Sequence, residues 1–526
     1  MRIAIVGTGP TGIYTFHNLI QAETPLEIVL YERGERLGVG MPYSPETASR
    51  SMLANIASIE IPPVTETYLD WIRSRSPEYI RSYIPDPSAL DERSFTPRLM
   101  LGDYFHDQIT ALTERARAAG HRVSAWPACR VSDLREAEGG VAVISEPAQN
   151  EAPFDRVILA TGHVFEEDDD LSDHYFPNPW SGLISVEIPA TSVGIMGTSL
   201  SAIDAAMAVA TQHGTFIREG EELRYDTGAS GALMLTLMSW TGILPETDFY
   251  CPLPYLPLEV MTPEALAEAV RGTGRFEAVY DLFREEIIKA DPAWAKKIGL
   301  KNLSPEAFEE AYFRDREAHD TFRWARANLE EAEANRKARK TVAWRYAILR
   351  MHEQVEEIVP ELSEDERKRF DKTLKAVFVD NYAAVPPESI RRLLALRDAG
   401  VLQVLALGED YDMSHAADHT EITAKGKKHR FSIFIDARGQ RPMESRHLPF
   451  PGLRDALLAA GFEEPEIGED YALLGLPDWE DRVFLAALPY LMQDQPFVQG
   501  ITACAEIGET IAKAGQRKRQ RRRRLA

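Results

Sequence analysis

The 526-residue sequence is poor in cysteine, in long apolar runs and, over most of its length, in positive charge. Its three cysteines, Cys129, Cys251 and Cys504, stand far apart and form no Cys-x-x-Cys pair, which argues against a disulfide framework, a redox dithiol or a thiolate metal centre. A reduced, cytoplasmic protein is the expectation. No apolar stretch approaches the roughly 20 residues of a bilayer-crossing helix. The first apolar run, residues 3–6, is cut off at Gly7, too short for a signal-peptide core. Metal-ligating His/Glu spacings and a nucleophile elbow are missing too, so no metal is expected. Lys and Arg total 59 against 82 Asp and Glu. Seven of those basic residues crowd into the last ten positions, so the body carries 52 against 82, or −30. Such a body repels phosphate backbones and anionic membranes, and nucleic acid is not an expected partner of the folded part.

What is present begins at the N-terminus. At about 150 residues per domain, the length suggests roughly three units. A buried-strand run, Arg2-Ile-Ala-Ile-Val-Gly7, leads through Gly7-Thr8-Gly9-Pro10-Thr11-Gly12 into helical spacing at Ile13, Phe16, Leu19 and Ile20, and a second strand run ends at Glu32-Arg33. This is G-x-G-x-x-G in the one context that gives it meaning, between a strand and a helix. Gly7 permits the tight turn, Gly9 lets backbone N–H groups approach a pyrophosphate, and Gly12 allows the helix to pack on the strand. Pro10 loses nothing in the first helical turn, where its N–H would be unpaired. Glu32 stands where a carboxylate can accept from ribose hydroxyls. The unit is read as an adenine-dinucleotide site.

Three later segments favour FAD. Residues 157–160 form a strand ending in Ala160-Thr161-Gly162-His163. Asp436-Ala-Arg-Gly439 reads as a second, degenerate copy of that ending. Gln495-Pro496 and Gly500 precede the last helix, whose N-terminus offers positive potential to a flavin ring. A second glycine motif, Gly197-Thr198-Ser199-Leu-Ser-Ala202, keeps the spacing but replaces two glycines, and the strand after it ends at Ser239-Trp240 without an acid. If a nicotinamide cofactor binds there, NADPH is favoured over NADH, with Arg218 and Arg224 as candidates to reach a 2′-phosphate. The alternative is a Rossmann unit that no longer binds nucleotide.

The fold expected is α/β, with two dinucleotide-binding Rossmann-type units and a mostly helical insertion. Residues 1–185 form the first part of an FAD domain, 190–260 an NAD(P)-type subdomain, 261–400 the helical insertion over substrate, 401–515 a return to the FAD domain, and 516–526 a disordered basic tail.

The first motif together with Leu37-Gly-Val-Gly-Met-Pro-Tyr43, Met52-Leu-Ala-Asn55-Ile-Ala-Ser-Ile59 and Ala160-Thr-Gly-His163 resembles the FAD-NAD(P)-binding protein family. That family is in turn similar to flavin-dependent N-hydroxylating monooxygenases, which pair an FAD unit with an NADPH unit. The resemblance implies an FAD-dependent oxidoreductase reduced by NADPH or NADH, including the option of a monooxygenase on a small amine or amino acid. A flavin dehydrogenase or reductase passing electrons to a partner, and a non-enzymatic flavoprotein, remain the alternatives. Oxygen chemistry at a flavin needs a water-excluding site but no protein nucleophile. Met41, Pro42, Tyr43, Asn55 and Gln495 are candidates to line the flavin ring, with Asn55 and His163 as catalytic candidates. In the helical insertion Arg345 or Arg350, near Trp344 and Tyr346, is a candidate fork for an anionic substrate.

Overall fold

The computed structural model describes residues 1–149, 151–163, 174–180, 182–228 and 231–525. The chain forms two units, Met1–Glu167 with Gln440–Ala526, and Asp168–Gly439.

The first unit is built on a five-stranded sheet in the order Val483–Leu485, Arg156–Leu159, Arg2–Val6, Glu27–Tyr31, Arg122–Trp126, with every neighbouring pair parallel. Its strands are apolar on both faces because helices and loops cover both. Ile5, Ile28 and Ile158 are at most 1% exposed, and burial of each such side chain contributes about 1.5–3 kcal/mol. On one face lie the glycine-motif helix Pro10–Leu19, the long helix Arg98–Ala118 and the last helix, which starts at Gly500. The other face packs on the antiparallel pair Arg130–Ala137 and Gly140–Glu146 and on the helix Pro451–Ala459.

The second unit holds another five-stranded parallel sheet, in the order Leu402–Ala406, Met234–Ser239, Ser192–Met196, Ile433–Asp436, Tyr175–Phe176. The helix Leu200–His213 follows its central strand. Between strands Met234–Ser239 and Leu402–Ala406 the chain makes nine α-helices, from Pro263–Ala269 to Pro387–Asp398. Their starts are written in the sequence: Thr262, Asp291 and Ser304 each cap a helix with a side-chain oxygen, and each is followed by proline at the first helical position.

Three boundaries differ from the sequence expectation. Strands Leu402–Ala406 and Ile433–Asp436 complete the second sheet, and the chain re-enters the first unit only at Gln440, not near residue 401. The first unit's opening segment ends at Glu167, ahead of 185, and Tyr175–Phe176 is an edge strand of the second sheet. The nicotinamide-type subdomain is therefore discontinuous and extends beyond 190–260. A short buried apolar run signals a parallel strand but carries no label for the sheet it joins. The last helix runs Gly500–Leu525, so the backbone of the basic segment is helical where a disordered tail was expected. Beyond Gly515 the segment contains only helix-compatible residues, with neither Gly nor Pro to stop it.

Candidate functional site

In the first unit the glycine motif closes around the carboxyl edge of the sheet. Gly7 has φ of +93°, and a Cβ there would sit 2.3 Å from the carbonyl oxygen of Ala160, where the neighbouring strand leaves the sheet beside Thr161. At Gly12 a Cβ would lie 2.2 Å from the Gly7 carbonyl oxygen, which is the close helix-on-strand packing the motif predicts. A Cβ on Gly9 would lie 3.1 Å from the Cα of Gly40, so the loop that carries Met41 and Tyr43 lies directly over the turn. The helix then starts at Pro10 with no side-chain cap on its N-terminus. Helices at Thr67, Ser76 and Thr262 do carry such caps. The N–H groups of this first turn have no intrahelical acceptor and are left for an anion.

Thr8 ties the site together, and sequence reading passed over it as a variable position of the motif. It is fully buried. Its N–H and hydroxyl both donate to Glu32 Oε2, at 3.0 and 2.7 Å, and its Oγ1 accepts from Gly38 N at 3.0 Å. The other oxygen of Glu32 accepts from Gly34 N at 2.9 Å. Glu32 thus organises the turn as well as presenting a carboxylate at the strand end. Arg33 beside it is exposed. The Thr11 hydroxyl faces Cys504 Sγ at 3.1 Å in the last helix, leaving its backbone as the part available to a cofactor. Thr15 N meets the Cβ position of Gly508 at 2.5 Å. Both pairs are 493 apart in sequence, so the two helices run parallel and present their N-termini, at Pro10 and Gly500, on the same edge.

The candidate ring-lining groups belong to the same unit. Asn55 Oδ1 is buried with no hydrogen-bond partner in the protein. Its segment is fixed by Ala54 N to Thr96 O at 2.9 Å and Arg98 Nε to Leu53 O at 3.1 Å. Tyr43 packs against Phe105, and burial raises its phenol well above the ordinary range. His163 hydrogen-bonds Gln440; burial, with help from the charge of Arg98, pulls its pKa below 6.5. Arg98 carried no motif signal in the sequence. Thr161, Gly162, Gln495 and Pro496 all belong to this unit, and Pro496 is buried just ahead of the last helix. An uncapped helix start, glycines that only a bare backbone can occupy and an orphaned amide oxygen fit a bound dinucleotide.

The second unit repeats the plan with different chemistry. Gly197 has φ of +130°, its Cβ position lies 3.0 Å from the Ala437 carbonyl oxygen, and the helix at Ser199 again has no side-chain cap. Thr198 Oγ1 lies 3.4 Å from Ser239 Oγ, which also accepts from Gly242 N at 3.0 Å. This pair occupies the places that Thr8 and Glu32 hold in the first unit. Asp436 and Gly439, expected beside FAD, lie in the second unit instead, because their strand pairs with Ser192–Met196. The Asp436 carboxylate is held by Arg438. Arg218 is engaged by Glu388 at 2.6 Å and Arg224 by Glu219 at 3.3 Å. Arg345 is likewise committed, to Glu246 at 2.8 Å, and Arg350 donates to the carbonyls of Leu256 and Pro257. Neither presents a free two-pronged fork, although the Nε–H of Arg345 has no acceptor in the protein.

No group of His, Cys, Asp or Glu among the described residues is arranged to hold a metal ion. Nor is any helix among them long and apolar enough to cross a membrane.

Residues 4–164 match the family described as FAD-NAD(P)-binding, and residues 262–382 match the YdhS-like middle domain. The uncharacterized protein YdhS of Escherichia coli strain K12 is 50% identical over 517 residues, covering 98% of this chain and 97% of that protein. The chain belongs to the YdhS-like family of FAD-NAD(P)-binding proteins. Among solved structures, the fold of this YdhS-like chain is similar to an ornithine N-hydroxylase of Kutzneria sp. 744 with reduced FAD, NADP+ and L-ornithine (TM-score 0.51, 13% identity, 98% of this chain and 99% of that one). It is similar also to the ornithine hydroxylase of Pseudomonas aeruginosa (TM-score 0.51, 12% identity, 98% of each chain). The YdhS-like chain thus has the fold of FAD-dependent NAD(P)H oxidoreductases and monooxygenases, with an FAD-NAD(P)-binding domain at residues 4–164.

Proposed function

We propose that this YdhS-like protein is an FAD oxidoreductase reduced by NADPH or NADH that acts as a monooxygenase on a small amine or amino acid. The observation that carries the reading is the pair of uncapped glycine-motif helices, at Gly9 and Ser199, each at the carboxyl edge of its own parallel sheet. One chain with two such edges has room for two dinucleotides. The likeness to ornithine N-hydroxylases supports the oxygen-using form.

In this reading Gly7, Gly9, Pro10, Thr11 and Gly12 hold the FAD pyrophosphate, and Glu32 and Arg33 meet its adenosine half. Met41, Tyr43, Asn55, Thr161, Gly162, Gln495, Pro496 and Gly500 border the flavin. Gly197, Thr198 and Ser199 take the nicotinamide dinucleotide, with Asp436 and Gly439 at the same edge. Bound FAD supplies the redox chemistry. Asn55 offers an amide oxygen to a ring N–H. Burial disfavours the charged form of His163, so its imidazole is suited to accept a proton only briefly and pass it on.

Anaerobic mixing with NADPH and with NADH, followed by oxygen, tests the proposal. Bleaching by either nucleotide, and oxygen uptake that yields hydroxylated amine in a metabolite panel, is the expected result. Failure of both nucleotides to bleach the flavin removes the NAD(P)H reading. Bleaching with oxygen uptake that yields only hydrogen peroxide across the panel, together with fast transfer to a quinone, would turn the assignment to a reductase.

A further inference from the structure

A cavity of about 350 Å³ opens among the helices of the second unit, away from its glycine motif in sequence. Its walls are aromatic: Phe249, Tyr312, Trp324, and Trp344, which stacks on Trp294 at 4.2 Å between centroids and 5° between planes. Arg316 and Arg345 also line it, each 4% exposed. Two buried carboxylates hold these arginines. Glu246 takes Arg345 Nη1 at 2.8 Å, Trp324 Nε1 at 3.2 Å and Asn328 Nδ2 at 3.2 Å, while Asp380 takes Arg316 Nη1 at 2.6 Å and the Tyr312 hydroxyl at 2.8 Å.

That network is balanced in charge but not in hydrogen bonds. The Nε–H groups of both Arg316 and Arg345 have no acceptor in the protein. Orphaned buried polar atoms are rare in native structures, and two such N–H groups on residues that line one cavity ask for a ligand. What they offer is donors, while Glu246 and Asp380 are committed as above and Asp315 to Lys297 at 3.3 Å; Glu331 is a further acid in the lining. The missing partner is therefore an acceptor, and the indole walls select a flat ring.

We propose that this cavity is a binding site for a small aromatic carboxylate. The ring lies against Trp344 and Tyr312, and the carboxylate turns toward the guanidinium groups of Arg316 and Arg345. The site stands independently of the flavin assignment.

Calorimetric titration of the full chain with indole-3-acetate and benzoate, against their methyl esters and phenethylamine, tests it. A Kd of about 1 mM or tighter for an acid, and binding of its ester at least about tenfold weaker, is expected. Ala311→Leu, which fills the cavity without touching the ion pairs, should weaken the acid by about tenfold or more with the melting temperature unchanged. Arg345→Lys should narrow the gap between acid and ester. Equal binding of acid and ester, preference for the amine, wild-type affinity in Ala311→Leu, or no heat with any acid at about 10 mM, well above that Kd, would each overturn the proposal.

Discussion

The hydroxyl of Thr8 donates to Glu32 Oε2 at 2.7 Å, and the Thr8 backbone N–H donates to the same oxygen at 3.0 Å. One carboxylate thus holds the glycine turn, its own strand end and, through Thr8, the loop at Gly38. Glu32→Ala leaves the buried Thr8 donors without their acceptor, at a cost of about 1–3 kcal/mol. The flavin-to-protein ratio and the melting temperature should fall together, with Glu32→Gln intermediate in both. A Glu32→Ala protein with full flavin and an unchanged melting temperature would contradict this role.

The same two places in the second unit are taken by Thr198 and Ser239, a pair of hydroxyls with no charge. Ser239→Glu installs the acid that the first unit has. The ratio of kcat/KM with NADH to that with NADPH should rise by about tenfold, roughly 1.4 kcal/mol, because a carboxylate accepts from ribose hydroxyls and repels a 2′-phosphate. Steady-state reduction with both nucleotides measures it.

Gly7→Ala and Gly197→Ala separate the two units. The first forces a Cβ to 2.3 Å from a carbonyl oxygen at φ of +93° and should yield insoluble or colourless protein. The second meets its nearest atom only at 3.0 Å, at φ of +130°. It should stay yellow while its reduction by NADPH slows at least about tenfold, a loss of about 1.4 kcal/mol of binding.

Cys504 is buried against Thr11, and burial pushes its thiol pKa up to about 11. Cys129 and Cys251 are buried as well. The native protein should release almost no thiol to a disulfide reagent at pH 8, and all three on unfolding, because the thiolate is the reactive form. Rapid labelling of Cys504 in the native state would contradict the close packing of the two parallel helices.

Burial lowers the pKa of His17, His163 and His352 below 6.5. The unfolded chain then binds protons that the folded chain resists, so their contribution is complete above about pH 6.5 and is lost as pH falls toward the folded values. The melting temperature should decline between about pH 6.5 and 5, and His352→Gln should flatten that decline. A melting temperature flat over this range in the wild type would count against it.

The opening strand, turn and helix were legible because each of Gly7, Pro10 and Gly12 answers a local steric demand that the sequence spells out. The helical segment was legible from its periodicity and from caps such as Ser304-Pro305. Thr8 was not, since a small polar residue at a variable motif position signals nothing until Glu32 is folded against it. Arg98 and Gln440 reach the neighbourhood of His163 from distant parts of the chain. Arg345 read as a free cation on a helix face, and Glu246, 99 residues earlier, claims it.

By itself the sequence determined the two Rossmann-type units and the mostly helical insertion, because turns, caps and strand runs are properties of neighbouring residues. Only the tertiary structure decided that Leu402–Ala406 and Ile433–Asp436 complete the second sheet and that Asp436 leaves the FAD site. It alone set Thr11 against Cys504 and gathered the orphaned donors of Arg316 and Arg345 around one cavity. Those outcomes rest on which distant surfaces pack together, and an apolar run or a charged side chain carries no record of its partner.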